Sequence, residues 1–251
     1  GRARSGRYRR QGPSRVNLLA LIRAACAELS LPPPSGVAGN ADPLVTQMLA
    51  IANSEGRDLA RRYGWQALTR EATFTTVAAE SQGTLAAIVG AAQALRYIVN
   101  ATIWDRTSGE PIRGPRDGAT WQGYKAVTFA SPYSEYRIRG NELVFMPAPA
   151  AGHTCAFEYV SRYWCSNAAG SVFADALAAD TDLCLVDDEL VLMGILWRWR
   201  KAKGFDYAEE HLAYERQVAD AMARDCTKAT LDLAGPPTHE APLAIPRRIG
   251  T

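Results

Sequence analysis

Three histidines, five cysteines, a cluster of acids and a Trp-Arg repeat are the residues in this chain whose types could do chemistry. Histidine is the side chain that exchanges a proton most readily near neutral pH, and the commonest metal ligand. His153, His211 and His239, however, share no ligand spacing, and surface or packing roles are expected for them. Cys26, Cys155, Cys165, Cys184 and Cys226 are odd in number and include no Cys-x-x-Cys pair. Neither a zinc site nor a disulfide framework is expected from them, and reduced thiols are. The densest acidic group is Asp180, Asp182, Asp187, Asp188 and Glu189. Counted from Asp180, it carries Leu185 and Val191 where a calcium loop needs Gly and Glu, so Asp187 and Asp188 are read instead as favouring the start of a helix. No Gly-x-Ser-x-Gly elbow and no phosphate-cradling glycine loop after a strand occurs. No base stands beside a nucleophile at a recognisable spacing, so no catalytic residue, cofactor or metal is assigned and an enzyme is not expected.

Two features point to binding. Trp197-Arg198-Trp199-Arg200 offers aromatic faces to stack on bases and cations for phosphate. Adjacent helical residues diverge by about 100°, though, so the two rings cannot form one platform, and packing into the protein is expected of them. The first fifteen residues hold Arg2, Arg4, Arg7, Arg9, Arg10 and Arg15 and no acid, which leaves the rest of the chain four units negative against a net charge of +2. This basic arm reads either as a contact for phosphates or an acidic partner, or as a leader with no structure of its own.

The elements that must position these residues come in three blocks. Leu19, Ile22, Cys26 and Leu29 share one helical face over residues 16–29, and Pro32 to Pro34 stop that helix. Asp42-Pro43 is a capped start for a second, with Leu44, Met48, Ile51 and Leu59 in one stripe and an end near Tyr63-Gly64. From Trp65 the chain turns to strand patterns: 67–78, then 97–107, then a short strand after Ser108-Gly109-Glu110. Residues 81–93 are Ala-rich and fit no single template. Gly114-Pro115 breaks the pattern, and one or two helical turns are expected over 120–126. Residues 135–139 and 142–146 alternate around Gly140-Asn141 as a hairpin, and 153–164 reads as a half-buried strand. A third helix runs from Asp187 to about Lys203, ended by Gly204, and a fourth, capped by Asp206, reaches about Arg224 with Ala208, Leu212, Val218, Ala219 and Met222 as its apolar stripe, interrupted by Glu215. From Gly235 the chain has four prolines and no periodicity, as in a tail.

The expectation is an α+β fold: a helical bundle of four main helices in two sequence-distant hairpins, residues 16–66 and 187–228, with an inserted β-rich module at 67–186. A basic arm, 1–15, precedes it and an extended tail, 229–251, follows. At 251 residues such a chain buries enough surface to need no staple. No apolar run approaches the ~20 residues of a membrane span, and the N-terminal residues lack the apolar core of a signal peptide.

The chain also resembles the head-to-tail adaptor proteins of tailed bacteriophages, especially those of short-tailed phages. The resemblance is carried by Val16-Asn17-Leu18-Leu19, Tyr63-Gly64-Trp65-Gln66-Ala67-Leu68, Ile103-Trp104-Asp105-Arg106, Gly114-Pro115, Trp121-Gln122 with Lys125, and Tyr136-Arg137-Ile138-Arg139-Gly140. It continues through residues 145–149, 157–162, Lys203-Gly204, Tyr207 and Tyr214-Glu215. No single piece is diagnostic; their order and spacing are. The resemblance implies a structural virion protein at the head-tail interface, assembled in the host cytoplasm. It implies a ring, usually a dodecamer, that sits below the portal protein, contacts a tail or nozzle protein and passes phage DNA. It also implies a C-terminal extension that reaches the portal, for which Leu243, Ile245, Arg247, Arg248 and Ile249 are the candidates. No cofactor and no membrane enter this reading. The arm has no counterpart in the pattern. The alternative is a nucleic-acid-binding module that uses the arm and the Trp/Arg helix.

Overall fold

The computed structural model describes residues 15–90, 94–127 and 133–225. Its fold is α+β, with helices at both ends of the described chain and antiparallel sheets between them. By contacts it divides into two units. One holds the residues up to Tyr63 and Arg162–Ala219; the other holds Gly64–Ser161 and the residues from Asp220, so the division falls inside the last helix. Residues 162–186, expected in the β-rich module, group with the helices.

In the first unit, α1 (Leu18–Glu28) begins where the Asn17 side chain accepts from the Ala20 amide. It buries Leu18, Leu21, Ile22, Ala25 and Cys26. The buried face is thus rotated from the expected one, and Leu19 and Leu29 are only half-buried. Helix α2 (Pro43–Arg62) starts as expected: Asp42 accepts from the Leu44 amide and proline takes the first turn, where no N–H is missed. Helix α5 (Asp188–Lys203) is capped by Asp187 and closed by Gly204 in the left-handed region at φ 77°, a conformation that glycine adopts without strain. Helix α6 (Ala208–Asp225) starts from Asp206, which accepts from the Ala208 amide. A small sheet of β9 (Cys165–Ser166), β10 (Phe173–Ala174) and β11 (Leu183–Cys184) lies between α2 and α5 in sequence, and Asn17 bridges to Leu183.

Helix α5 packs on α2 and on α1. Two glycines permit the close approach. A Cβ at Gly56 would run into the fully buried ring of Trp164, and one at Gly194 into the carboxyl end of Glu55. The α6 stripe differs from expectation. Tyr214, Val218 and Ala221 are buried, whereas Ala208, Leu212 and Ala219 are exposed, Leu212 by 52%.

The second unit is the β-region. Strand β1 (Thr69–Thr75), β3 (Leu95–Ile98), β4 (Trp104–Asp105), β5 (Glu110–Pro111) and β8 (Thr154–Ser161) form one antiparallel sheet in which β1, β3 and β4 all pair with β8. Strand β2 (Ser81–Thr84), β6 (Glu135–Arg139) and β7 (Glu142–Met146) form another. The β6–β7 hairpin turns at Gly140-Asn141, both at positive φ, as the dipeptide predicts. Side chains from both sheets, among them Ile98, Ile103, Tyr136, Phe145, Phe157 and Tyr159, meet in one apolar cluster. The expected single strand over 97–107 is two, β3 and β4, separated by a turn with Ala101 at φ 61° and closed by Thr102 Oγ1 donating to Val99 O at 2.6 Å. Strand β8 is more than half-buried: Ala156, Val160 and Ser161 are as inaccessible as Cys155, Phe157 and Tyr159. The Ala-rich 81–93 region supplies β2 and a short helix, α3 (Leu85–Val89), and α4 (Gly118–Ala126) is capped by Asp117.

Gly194→Ala is expected to destabilise the protein by about 1–3 kcal/mol, because the added methyl forces the buried Glu55 side chain to move. Gly123→Ala, at an α4 position where a Cβ meets nothing, is the control and should not lower the transition. Thermal melts of the two variants check the difference.

Candidate functional site

A buried ionic cluster is the most organised polar group in the first unit. Glu55 falls on the buried stripe of α2 between Ala52 and Leu59 and is 0% exposed. Its carboxylate accepts from Arg198 Nε on α5 at 2.5 Å and from the Tyr214 hydroxyl on α6. Arg198 Nη2 donates on to Asp58 Oδ2 at 2.9 Å, and Asp58 also accepts from Arg62 Nη2 at 3.1 Å. Arg62 Nη1 completes the chain by donating to both carboxylate oxygens of Glu215, at 2.7 and 2.8 Å. Three helices are thereby joined through charge-assisted bonds, which are shorter and stronger than neutral ones.

The electrostatics follow from burial. Desolvation pushes the Glu55 carboxyl above the usual carboxylate range, against the bonds from Tyr214 and Arg198 that pull it down. Burial also raises the Tyr214 phenol, and the neighbouring Glu55 charge raises it further. Arg62 loses solvation too, but its bond to Glu215 and the nearby carboxylates hold it above its ordinary value. The cluster's groups are consumed by one another, and what it does chemically is fix three helices in one register.

The residues singled out from sequence fall into place around it. Trp197 and Trp199 are buried, at 6% and 8% exposure, so neither offers a face for a base. Trp197 lies between the rings of Tyr207, His211 and Tyr214, and Trp199 stacks on Phe205. Arg198 is bound in the cluster and Arg200 pairs with Glu210 at 2.7 Å. The Trp/Arg half of the nucleic-acid alternative therefore has no accessible stacking platform. The acidic group is spent on backbone amides: Asp180 accepts from Val37 and Ala38, Asp182 from Ala178 and Ala179, Asp187 from Glu189 and Asp188 from Val16. Among the described residues no cluster of His, Cys, Asp or Glu could hold a metal ion.

In the second unit His153 Nδ1 meets Asp105 Oδ2 at 2.6 Å. Burial alone would raise the Asp105 carboxyl, but His153 and the amides of Thr107 and Ser108 hold it below its ordinary value. Cys26, Cys155, Cys165 and Cys184 are buried free thiols, pushed up by desolvation. Arg15 is exposed. Arg2, Arg4, Arg7, Arg9, Arg10, His239 and Cys226 lie outside the described residues, as do Leu243, Ile245, Arg247, Arg248 and Ile249. Among the described residues no helix is long and apolar enough to cross a membrane.

Glu55, Asp58 and Arg62 were not singled out from sequence, and Tyr214 entered only among the residues that carry the resemblance. The one available signal was an acid at position 55 inside an otherwise apolar stripe, since a glutamate is almost never fully buried unless paired.

The cluster and the α6 correction give a paired expectation. Tyr214→Phe keeps the ring and leaves the buried Glu55 oxygen without its donor, and should cost about 1–3 kcal/mol. Leu212→Asp changes an exposed position and should shift stability by no more than about 0.5 kcal/mol. Denaturant titrations of both variants test the assignment, which an equal loss in the two would contradict.

The comparisons with known proteins bear on the whole chain. No curated protein matches it. A family model described as SU10 adaptor protein matches residues 16–241, nearly the full length and every described residue but Arg15. The chain belongs to that family, and is a structural adaptor of the bacteriophage head-to-tail type.

Proposed function

We propose that the protein is a virion component that forms a closed ring, a dodecamer, beneath the portal and extends the DNA channel towards the tail. The family match over residues 16–241 carries this reading. On it, α1, α2, α5 and α6 serve as the four-helix bundle of each subunit, in two hairpins distant in sequence, and the β-region is the module inserted between them. The protein's partners are further copies of itself, the portal protein above and a tail or nozzle protein below, with phage DNA in passage. Assembly takes place in the host cytoplasm. The basic arm, Arg2 to Arg15, is a contact for DNA phosphates or an acidic partner surface.

The C-terminal residues supply the portal contact. Leu243, Ile245 and Ile249 are apolar anchors, and Arg247 and Arg248 are cations beside them. Prolines at 236, 237, 242 and 246 restrict the free chain and so lower the entropy lost when the peptide docks. A groove on an acidic partner suits such a peptide. In a ring every subunit contributes one copy, so weak single contacts sum through avidity.

Electron microscopy of the purified protein, alone and with portal, tests the reading. Rings on portals are expected. Truncation after Ala234 should leave a folded protein that no longer joins the portal. Ile245→Asp and the paired Arg247→Glu, Arg248→Glu changes should each weaken attachment separately. A truncated protein that still assembles on portals at wild-type levels would move the contact elsewhere in the chain.

A further inference from the structure

An open groove of about 500 Å³ runs between α2 and α5. Ala50, Ile51, Trp197 and Ala202 give it an apolar floor and Lys201 stands at its side. Gly194 faces Glu55 while Lys201 and Ala202 line the groove with Gln47 and Ala50, so the two helices run antiparallel. Lys201 therefore marks one end of the groove. Arg57, seven residues or about 10 Å along α2 from Ala50, stands beyond the other end, where it lines an adjoining hollow with Ser54, Asp58 and Arg198. Asp58, 40% exposed at its side chain, lies beside that second end. Lys201 and Arg57 are exposed, and neither has a carboxylate partner among the described residues.

Helix α6 carries the complementary pattern on its outer side. Leu212 is 52% exposed there, with Ala208 one turn before it and Ala219 two turns after. Glu209 is three residues before Leu212, about 4.5 Å; Arg216 is one turn after, about 6 Å; Asp220 is eight after, about 12 Å. All three are exposed, and Glu209, Arg216 and Asp220 have no ion-pair partner among the described residues. Along the helix the order is acid, apolar, base, acid. Along the groove a base, Lys201, stands at one end of the apolar floor and a base, Arg57, beyond the other, as Glu209 and Asp220 stand on either side of Leu212. The six arginines of the N-terminal arm have the wrong sign for this groove.

We propose that the α2–α5 groove takes the outer face of α6 from a second copy of this chain. Leu212 of one copy fills the floor formed by Ala50, Ile51 and Trp197 of the next; Glu209 meets Lys201 and Asp220 meets Arg57. The two surfaces are different patches of one chain, so the contact is head-to-tail and repeats until it closes. The proposal rests on the ring reading and names the surfaces by which that ring is built. Rim charges of this kind set orientation and exclude the wrong partner face.

Sedimentation velocity and negative-stain microscopy of the full chain, with and without portal, test it. Leu212→Glu and Ala50→Glu are each expected to weaken self-association by about tenfold or more, because each puts a carboxylate into the contact. Neither should move the melting transition, since both positions are exposed. An equal mixture of the two variants retains one intact groove and one intact α6 face, and should give dimers and nothing larger. Lys201→Glu should weaken association, and adding Glu209→Lys should restore it. Wild-type rings that persist with Leu212→Glu would overturn the contact and leave the ring reading standing. Leu212-dependent dimers or open chains without rings would support the contact and overturn the ring. Two monomeric variants whose mixture stays monomeric would overturn the head-to-tail arrangement, and a wild-type chain monomeric under every condition would overturn the contact itself.

Discussion

A fully buried glutamate imposes the tightest constraint on this protein. A carboxylate out of water is tolerated only with partners that replace its hydration. Glu55 has two, and they come from different helices: Arg198 of α5 and Tyr214 of α6. Neither partner can be moved by one helical turn without leaving a charge or a hydroxyl unpaired in the interior. The requirement propagates outward. Arg198 needs Asp58, Asp58 shares Arg62, and Arg62 needs Glu215. The net contribution of such a group to stability is small, because the desolvation of each charge offsets much of the attraction. What it supplies is register, since every alternative sliding of α2 against α5 or α6 breaks at least one bond.

The small residues at the contacts follow from the same constraint. For Arg198 Nε to reach Glu55, α5 must come close to α2, and Gly194 is the position where a side chain would prevent it. Gly56, one residue on from Glu55, leaves room for Trp164, whose indole donates to Asp175 O at 2.8 Å at the edge of the small sheet, where both residues flank its strands. The 162–186 segment is therefore held by a large ring seated on a glycine of α2, by Asp180 accepting the Val37 and Ala38 amides, and by the Asp182 and Asp180 carbonyls accepting from the first amides of α1. That is the physical reason it groups with the helices, although the bounds expected from sequence put it in the β-rich module.

Local signals were legible and distant ones were not. Asp42-Pro43, Asp187, Gly204, Asp206 and the Gly140-Asn141 turn specify backbone geometry within a few residues, and each element begins, ends or turns there. The side chains of α6 could not be sorted so simply. Hydrophobicity alone puts Leu212 inside, yet Tyr214 takes the interior position, because its hydroxyl has a partner 159 residues away. Glu215, read as an interruption, is the acceptor for Arg62. Strand β8 reads as half-buried because Glu158 and Thr154 alternate with apolar residues, and its pairing on both edges is a property of the whole sheet. Within the candidate site, the burial of the tryptophans and the capping role of Asp187 followed from helical geometry. The arginine cluster did not, since nothing in a linear sequence says which of 28 cations lies beside a buried acid.

A protein whose task is attachment has to separate what is fixed from what is offered. Here Glu55, Asp58, Arg62, Arg198, Tyr214 and Glu215 are bound to one another, and the aromatic pair of the Trp-Arg repeat is covered. The charges left without partners lie outside, and they are ordered: Lys201 and Arg57 beside one apolar groove, Glu209 and Asp220 beside one exposed leucine. An apolar side chain half in water is ordinary by itself. Here it is flanked at helical spacing by charges opposite in sign to those beside a groove of the same chain, which is the observation the proposed contact uses. The Glu55 cluster gives that arrangement its consequence. By fixing α6 against α2 through Tyr214, it fixes the direction in which Leu212 points, and so, in the proposed contact, it would link the register of the interior to the angle at which one copy meets the next.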